Sequence, residues 1–280
     1  MNASTEISSA AALPARAVTL AGFAGRPVRA KVTEIGTGPT FVFLHGLVGL
    51  NEHWDEVAML VRDRVRCVML ELPLLELTGQ DCSVQGVAEL TKRFLIEHVP
   101  EPAVLVGNSF GGHVALHSAL GSCDASDGQV RGLVLTGSSG LIERSTVKAV
   151  ETRPSREWLE DKIGELFYDR RHVRESDIER AHRELNDRKR ARAMIRLSRT
   201  ARKNHLGAQI SGIDLPVLLI WGREDVVTPP EAAREFERLL PDARLEWFDN
   251  CGHVPMVERA DAFASRLVAF AEELDANAGG

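Results

Sequence analysis

Three residues of this chain have the types and surroundings needed to attack a carbonyl: Ser109, Asp225 and His253. A serine hydroxyl is a weak nucleophile at neutral pH. It needs a base within hydrogen-bond reach, an acid that orients the base, and N–H donors for the oxyanion that develops. Ser109 stands in Gly107-Asn108-Ser109-Phe110-Gly111-Gly112, after the apolar run Val104-Leu105-Val106 and before a small-residue run that opens a helix. A serine projecting from a strand–helix junction must occupy a very tight turn, so the positions two before and two after must lack bulk. The helix that follows aims its free N–H groups at the place where negative charge forms. A glycine-rich turn that merely contains a serine is the plainer reading, and partners elsewhere in the chain decide between the two.

Two partners follow later, each after a strand pattern. Asp225 ends Trp221-Gly222-Arg223-Glu224-Asp225, behind the apolar run Val217 to Ile220, with Glu224 as its neighbour and rival. His253 stands in Cys251-Gly252-His253-Val254-Pro255, after the strand pattern 243–248. Alone, the first is a turn aspartate and the second a surface histidine. Together, in the order Ser…Asp…His, they have the makings of nucleophile, orienting acid and base. His45-Gly46-Leu47-Val48-Gly49 closes an earlier strand pattern. It can offer the N–H of Leu47 to an oxyanion, with the N–H of Phe110 as second donor. His45 reads as a structural hydrogen-bonder and Cys251 as a small loop filler.

The elements that must hold these groups alternate. Runs at 15–23 and 27–34 predict an antiparallel hairpin. Apolar strand patterns follow at 41–44, 65–72, 102–107, 130–136, 216–222 and 243–248, separated by helical patterns at 54–62, 83–98, 110–120 and 230–240, with a closing helix from residue 260 to about 274. Strand–helix alternation predicts a mostly parallel sheet flanked by helices, with the site along its carboxyl edge. Between residues 141 and 210 the strand patterns stop. That stretch holds 18 Lys and Arg against 12 Asp and Glu, a net of +6 over a remainder of −12. It predicts a helical lid at 141–210 over a core made of 1–140 and 211–280. In its last long helix, Ala191, Met194, Ile195 and Ser198 are expected to face inward. Arg188, Arg192 and Arg199 fall at the edges of that stripe, where one of them could hold a substrate carboxylate.

With 280 residues, 44 % apolar content and a net charge of −6, the chain is globular, and nucleic acid is not expected as a partner. No apolar run reaches the length of a membrane span. The first 12 residues lack a basic and apolar leader pattern and read as a loose tail. Cys67, Cys82, Cys123 and Cys251 show neither paired nor disulfide-dense spacing, which favours a reducing, cytoplasmic setting. His113 and His117, four apart on a helix, could suggest a metal pair, but no third ligand has suitable spacing, and packing is the expected role. Trp158, Phe167, Tyr168 and Met194 read as core of the lid, or as lining of a pocket under it.

The His45–Gly49, Gly107–Gly112, Trp221–Asp225 and Cys251–His253 motifs together resemble the serine α/β-hydrolase superfamily over nearly the whole chain. The resemblance implies the α/β-hydrolase fold, and catalysis by Ser109, Asp225 and His253 without metal or cofactor. It also implies a small-molecule substrate. The expected reaction is hydrolysis of a carboxylic ester of small to medium acyl chain through an acyl-enzyme. The Gly-Asn-Ser-Phe-Gly-Gly turn also resembles lidded hydrolases of meta-ring-fission products. That makes C–C cleavage of a vinylogous diketone acid the alternative, and it would call for a cation in the pocket. A non-catalytic binding protein on the same scaffold is a third reading, which a complete triad disfavours. One stretch departs from the superfamily: Glu71-Leu72-Pro73-Leu74-Leu75-Glu76-Leu77 replaces the usual Asp-x-x-Gly-x-Gly.

Overall fold

In a computed structural model, residues 13–120, 128–142 and 154–278 are described. Eight strands form one sheet: β1 (Ala15–Ala21), β2 (Pro27–Ile35), β3 (Thr40–Leu44), β4 (Arg66–Glu71), β5 (Ala103–Asn108), β6 (Val130–Thr136), β7 (Val217–Gly222) and β8 (Ala243–Phe248). Their spatial order is β1-β2-β4-β3-β5-β6-β7-β8. β1 and β2 form the expected antiparallel hairpin, β2 joins β4 antiparallel, and every later pairing is parallel. Val42 lies opposite both Val68 and Leu105, which fixes the central register.

The apolar runs are continuous because both faces of the central strands are covered. Val42, Leu44, Val68, Leu70, Leu105 and Leu133 point to one face, and Phe41, Phe43, Met69, Val104, Val106 and Val134 to the other. The helices are α1 (Asp55–Val61), α2 (Val84–His98), α3 (Phe110–Leu120), α4 (Arg156–Gly164), α5 (Glu175–Leu185), α6 (Arg188–Lys203), α7 (Pro230–Leu239), α8 (Pro255–Glu258) and α9 (Ala260–Ala278). α2, α3 and α7 supply Leu90, Phe94, Val114, Leu116 and Phe236 to the first face. α1 and α9 supply Val57, Val61, Phe263 and Leu267 to the second. Ser83 caps α2 as expected, its hydroxyl accepting from Gly86 N at 3.0 Å. α9 continues four residues beyond the expected end, and Asp275 there pairs with Arg131 at 2.6 Å. Among the described residues, no helix is long and apolar enough to cross a membrane.

α4, α5 and α6 lie between β6 and β7. They share a small cluster of their own, made of Leu159, Ile163, Ile178, Ala181, Leu185 and Met194. α6 corrects the expected stripe. Ala191 and Met194 are buried, but Ile195 and Ser198 are only half-buried, while Ala193, Leu197 and Ala201 are buried. The reason is burial on two sides. Met194 enters the α4–α5 cluster, whereas Ala193, Leu197 and Ala201 enter the main core. The departing stretch 71–77 provides the seat for α6. Its residues 74–76 form a single 3-10 turn, Leu72, Leu74 and Leu77 are buried, and Glu76 pairs with Arg190 at 2.7 Å. The expected tail at 1–12, the lid entry at 143–153 and Cys123 lie outside the described residues.

Candidate active site

Ser109 follows β5 directly and precedes the first residue of α3. Its φ is +55°, a left-handed conformation that costs a non-glycine residue energy and points to a functional turn. The flanking glycines are required by close approach. A Cβ on Gly107 would lie 2.5 Å from the Gly111 carbonyl oxygen, and one on Gly111 would lie 2.2 Å from that of Leu44. Ser109 N donates to Thr136 O at 3.1 Å, and Ser139 N donates to Ser109 O at 3.1 Å, so the turn is tied to the end of β6.

Asp225 and His253 meet. The imidazole Nδ1 is 2.9 Å from Asp225 Oδ2, with both side chains buried. The carboxylate is held from its other sides. Val227 N and Thr228 N donate to Oδ1 at 2.8 and 2.9 Å, and Thr228 Oγ1 donates to Oδ2 at 2.8 Å. The rival Glu224 points elsewhere, accepting from Cys251 N at 2.9 Å. Asn108 joins the serine turn to the histidine loop, its amide donating to Thr136 O at 3.1 Å and to His253 O at 3.0 Å. Cys251 is buried, and burial pushes its thiol up, out of reach of the thiolate form at neutral pH.

The loop 45–49 abuts the serine, for a Cβ on Gly46 would lie 3.4 Å from Ser109 Cβ. His45 is buried, its Nδ1 2.7 Å from Gly46 O, and burial lowers its pKa, so it serves as a hydrogen-bonder. The N–H groups of Leu47 and Phe110 make no backbone hydrogen bond among the described residues. His113 and His117 stack with ring centroids 5.2 Å apart. Burial, with His117 adding to it, lowers the His113 pKa to about 3 and keeps that ring neutral.

Ser109 and His253 line one cavity of about 140 Å³ together with Leu47, Phe167, Val227 and Val257. Most of its wall is apolar. Its polar side is lined by Arg174, Asp177 and Arg180, from α5 and the segment before it, and by His53 and His172. Arg180 donates to Val48 O at 2.9 Å and to Asp177 at 3.0 Å, while His53 Nε2 lies 3.2 Å from the same carboxylate. Burial alone would raise the Asp177 pKa, but His53 and Arg180 outweigh it and lower it to about 2.

The cations at the cavity therefore correct the sequence expectation. Arg188, Arg192 and Arg199 on α6 are exposed and line nothing there. Of the candidates for lid core or pocket lining, Phe167 lines the cavity, Met194 and Trp158 belong to the helical cluster, and Tyr168 is exposed. Thr228, Asn108, Asp177 and Arg180 were not singled out by function. For α5 the signal was available: Ile178, Ala181 and Leu185 mark an inward face, and Asp177 and Arg180 flank it.

The model of the alpha/beta hydrolase family matches residues 41–266. The chain belongs to the alpha/beta hydrolase family. It is 28 % identical over 258 residues to a pimeloyl-[acyl-carrier protein] methyl ester esterase of Nitrosomonas europaea, covering 84 % of this chain and 96 % of that one. An alpha/beta hydrolase enzyme from the sediment metagenome of the Mar Chica lagoon, Morocco, shares 29 % identity at a TM-score of 0.71, over 88 % of this chain and 96 % of its own. A meta-cleavage product hydrolase of Pseudomonas fluorescens IP01 superposes at a TM-score of 0.74 with 22 % identity, over 91 % and 97 %, and that likeness is one of fold. β5, β7 and β8 end at Asn108, Gly222 and Phe248, so Ser109, Asp225 and His253 all follow the carboxyl ends of parallel strands, the edge where ligands collect in open α/β sheets.

Proposed function

We propose that this alpha/beta hydrolase is a serine esterase that cleaves carboxylic esters of small to medium acyl chain through an acyl-enzyme. The observation that carries the reading is the buried Asp225–His253 pair facing the same cavity as a strained Ser109. Ser109 Oγ attacks the ester carbonyl while His253 takes its proton. Asp225 holds the ring in the tautomer that leaves Nε2 free to accept, and stabilises the imidazolium. The N–H groups of Leu47 and Phe110 stabilise the oxyanion. The ester C–O bond breaks as His253 returns the proton to the leaving alcohol. Water then repeats the cycle and frees the acid. The helices α4–α6 act as a lid, because α5 supplies one wall of the cavity. The apolar lining by Leu47, Phe167, Val227 and Val257 suits an acyl chain, and the relative named as a methyl ester esterase supports ester chemistry.

A p-nitrophenyl ester panel from acetate to octanoate tests this reading. Wild type should turn over the shorter esters, and a slow ester should leave an acyl adduct on Ser109 visible by mass spectrometry. Ser109→Ala should lose turnover and adduct together while keeping its melting temperature. Near-normal hydrolysis by that variant would sink the mechanism. C–C cleavage of a vinylogous diketone acid is the second reading, favoured by Arg174 and Arg180 at the cavity wall. A dienol-acid substrate beside the ester panel separates the two.

A further inference from the structure

One buried acid near the site has no part in the chemistry above. Glu258, the last residue of α8, is 6 % exposed. Its Oε1 accepts from Gly252 N at 2.7 Å, the residue before His253. Its Oε2 accepts from Tyr168 N at 2.9 Å and Asp169 N at 3.0 Å. These donors belong to two stretches far apart in the chain: the loop that carries His253, and the segment that follows α4. A further bond joins the same stretches, from His253 N to Leu166 O at 2.8 Å. The two backbones touch, since a Cβ on Gly252 would lie 2.7 Å from Leu166 O and 2.8 Å from Tyr168 N. Leu166 and Phe167 in that segment line the cavity.

We propose that Glu258 is a positioning residue that fixes the base His253 and the cavity wall at Leu166 and Phe167 as one unit. The proposal rests on the reading of Ser109 and His253 given above. A carboxylate only accepts, and it has room for three N–H donors at once. Buried N–H groups must be satisfied, and a loop could do so with its own carbonyls. Here one charged side chain satisfies donors on both sides of a seam, and charge-assisted bonds are the stronger kind. An acyl chain that displaces Phe167 then moves His253 as well. Opening the seam therefore loosens the base, which kcat reads, and the wall, which KM reads for chains long enough to reach Phe167.

Glu258→Gln tests this. The amide keeps one acceptor oxygen and turns its NH2 toward at least one of the three N–H groups, so one side of the seam opens. Active sites are counted with a fluorophosphonate that labels Ser109. Per labelled site, kcat on p-nitrophenyl acetate should fall roughly 10- to 100-fold, the loss expected for a hydrogen bond to a charged group. KM should rise more for the hexanoate than for the acetate. A merely structural role would lower the melting temperature and the labelled fraction, yet leave kcat per site and the KM ratio of the two esters unchanged. That result overturns the proposal. Ser109→Ala in the same assay keeps the two questions apart, because hydrolysis surviving there would remove the underlying reading and this proposal with it. Should Glu258→Gln not fold, hydrogen exchange of the wild-type protein decides. One common opening for the amides of Tyr168, Asp169 and Gly252 supports the clamp, and unrelated openings overturn it.

Discussion

Asp225 and Glu224 stand side by side after β7, and their contacts differ. Asp225 meets the imidazole at 2.9 Å, while Glu224 holds the backbone of Cys251. Asp225→Asn should therefore lower kcat about ten-thousandfold, as when a catalytic histidine loses its orienting acid. Glu224→Gln keeps an acceptor oxygen for Cys251 N and should cost less than about tenfold, the worth of one neutral hydrogen bond. Steady-state kinetics on one ester ranks the two, and the reverse ranking would reassign the acid. That the candidates Ser109, Asp225 and His253 would gather at one place was legible in the sequence because each sits in a local pattern: small residues around a tight turn, or a loop after an apolar run. Thr228 and Asn108 were less so. Their value lies in which distant carboxylate or carbonyl they reach, and no local pattern encodes that reach.

Three side chains tie the α5 wall to the core. Asp177 bridges His53 on the core and Arg180 on its own helix, and Arg180 continues to Val48 O. The Asp177 pKa falls from its ordinary 3.8 to about 2 in the folded chain. A carboxyl lowered in this way stabilises the folded state above about pH 4, and that contribution disappears as pH falls toward 2. Its size is about 2 kcal/mol. Urea unfolding at pH 6 and at pH 3 should show wild type and Asp177→Asn differing most at pH 6, with the gap narrowing at pH 3. A gap that widened on acidification would contradict the assignment. The strands were readable because apolar runs and alternation follow from burial on two faces or on one. α6 was misread for the converse reason. A single stripe assumes one partner, and α6 has two, so Leu197 and Ala201 were passed over.

Apolar packing divides the molecule unevenly. Two clusters line the faces of the sheet, and a third, far smaller, holds α4 and α5 together with Met194. Outside the Asp177–His53 contact, charge adds little to the difference. The pairs of α4–α6 with the core include exposed contacts such as Arg190–Glu76, and such pairs contribute at most about 1 kcal/mol each. The segment 141–210 was expected to be one lid, yet α6 sends Ala193, Leu197 and Ala201 into the main core. Local opening follows the density of buried apolar contact. Hydrogen exchange should therefore grade the proposed lid. Amides of α4 and α5 should exchange through openings that cost less than global unfolding. Those of α6 should be better protected, and those of β3 to β7 should exchange only globally. A phosphonate fixed on Ser109 fills the cavity that α5 walls, so it should slow exchange in α4 and α5 while leaving β3 to β7 unchanged. If α4 and α5 instead opened only together with the central strands, they would be part of the core, and a lid that moves to admit substrate would have no physical basis.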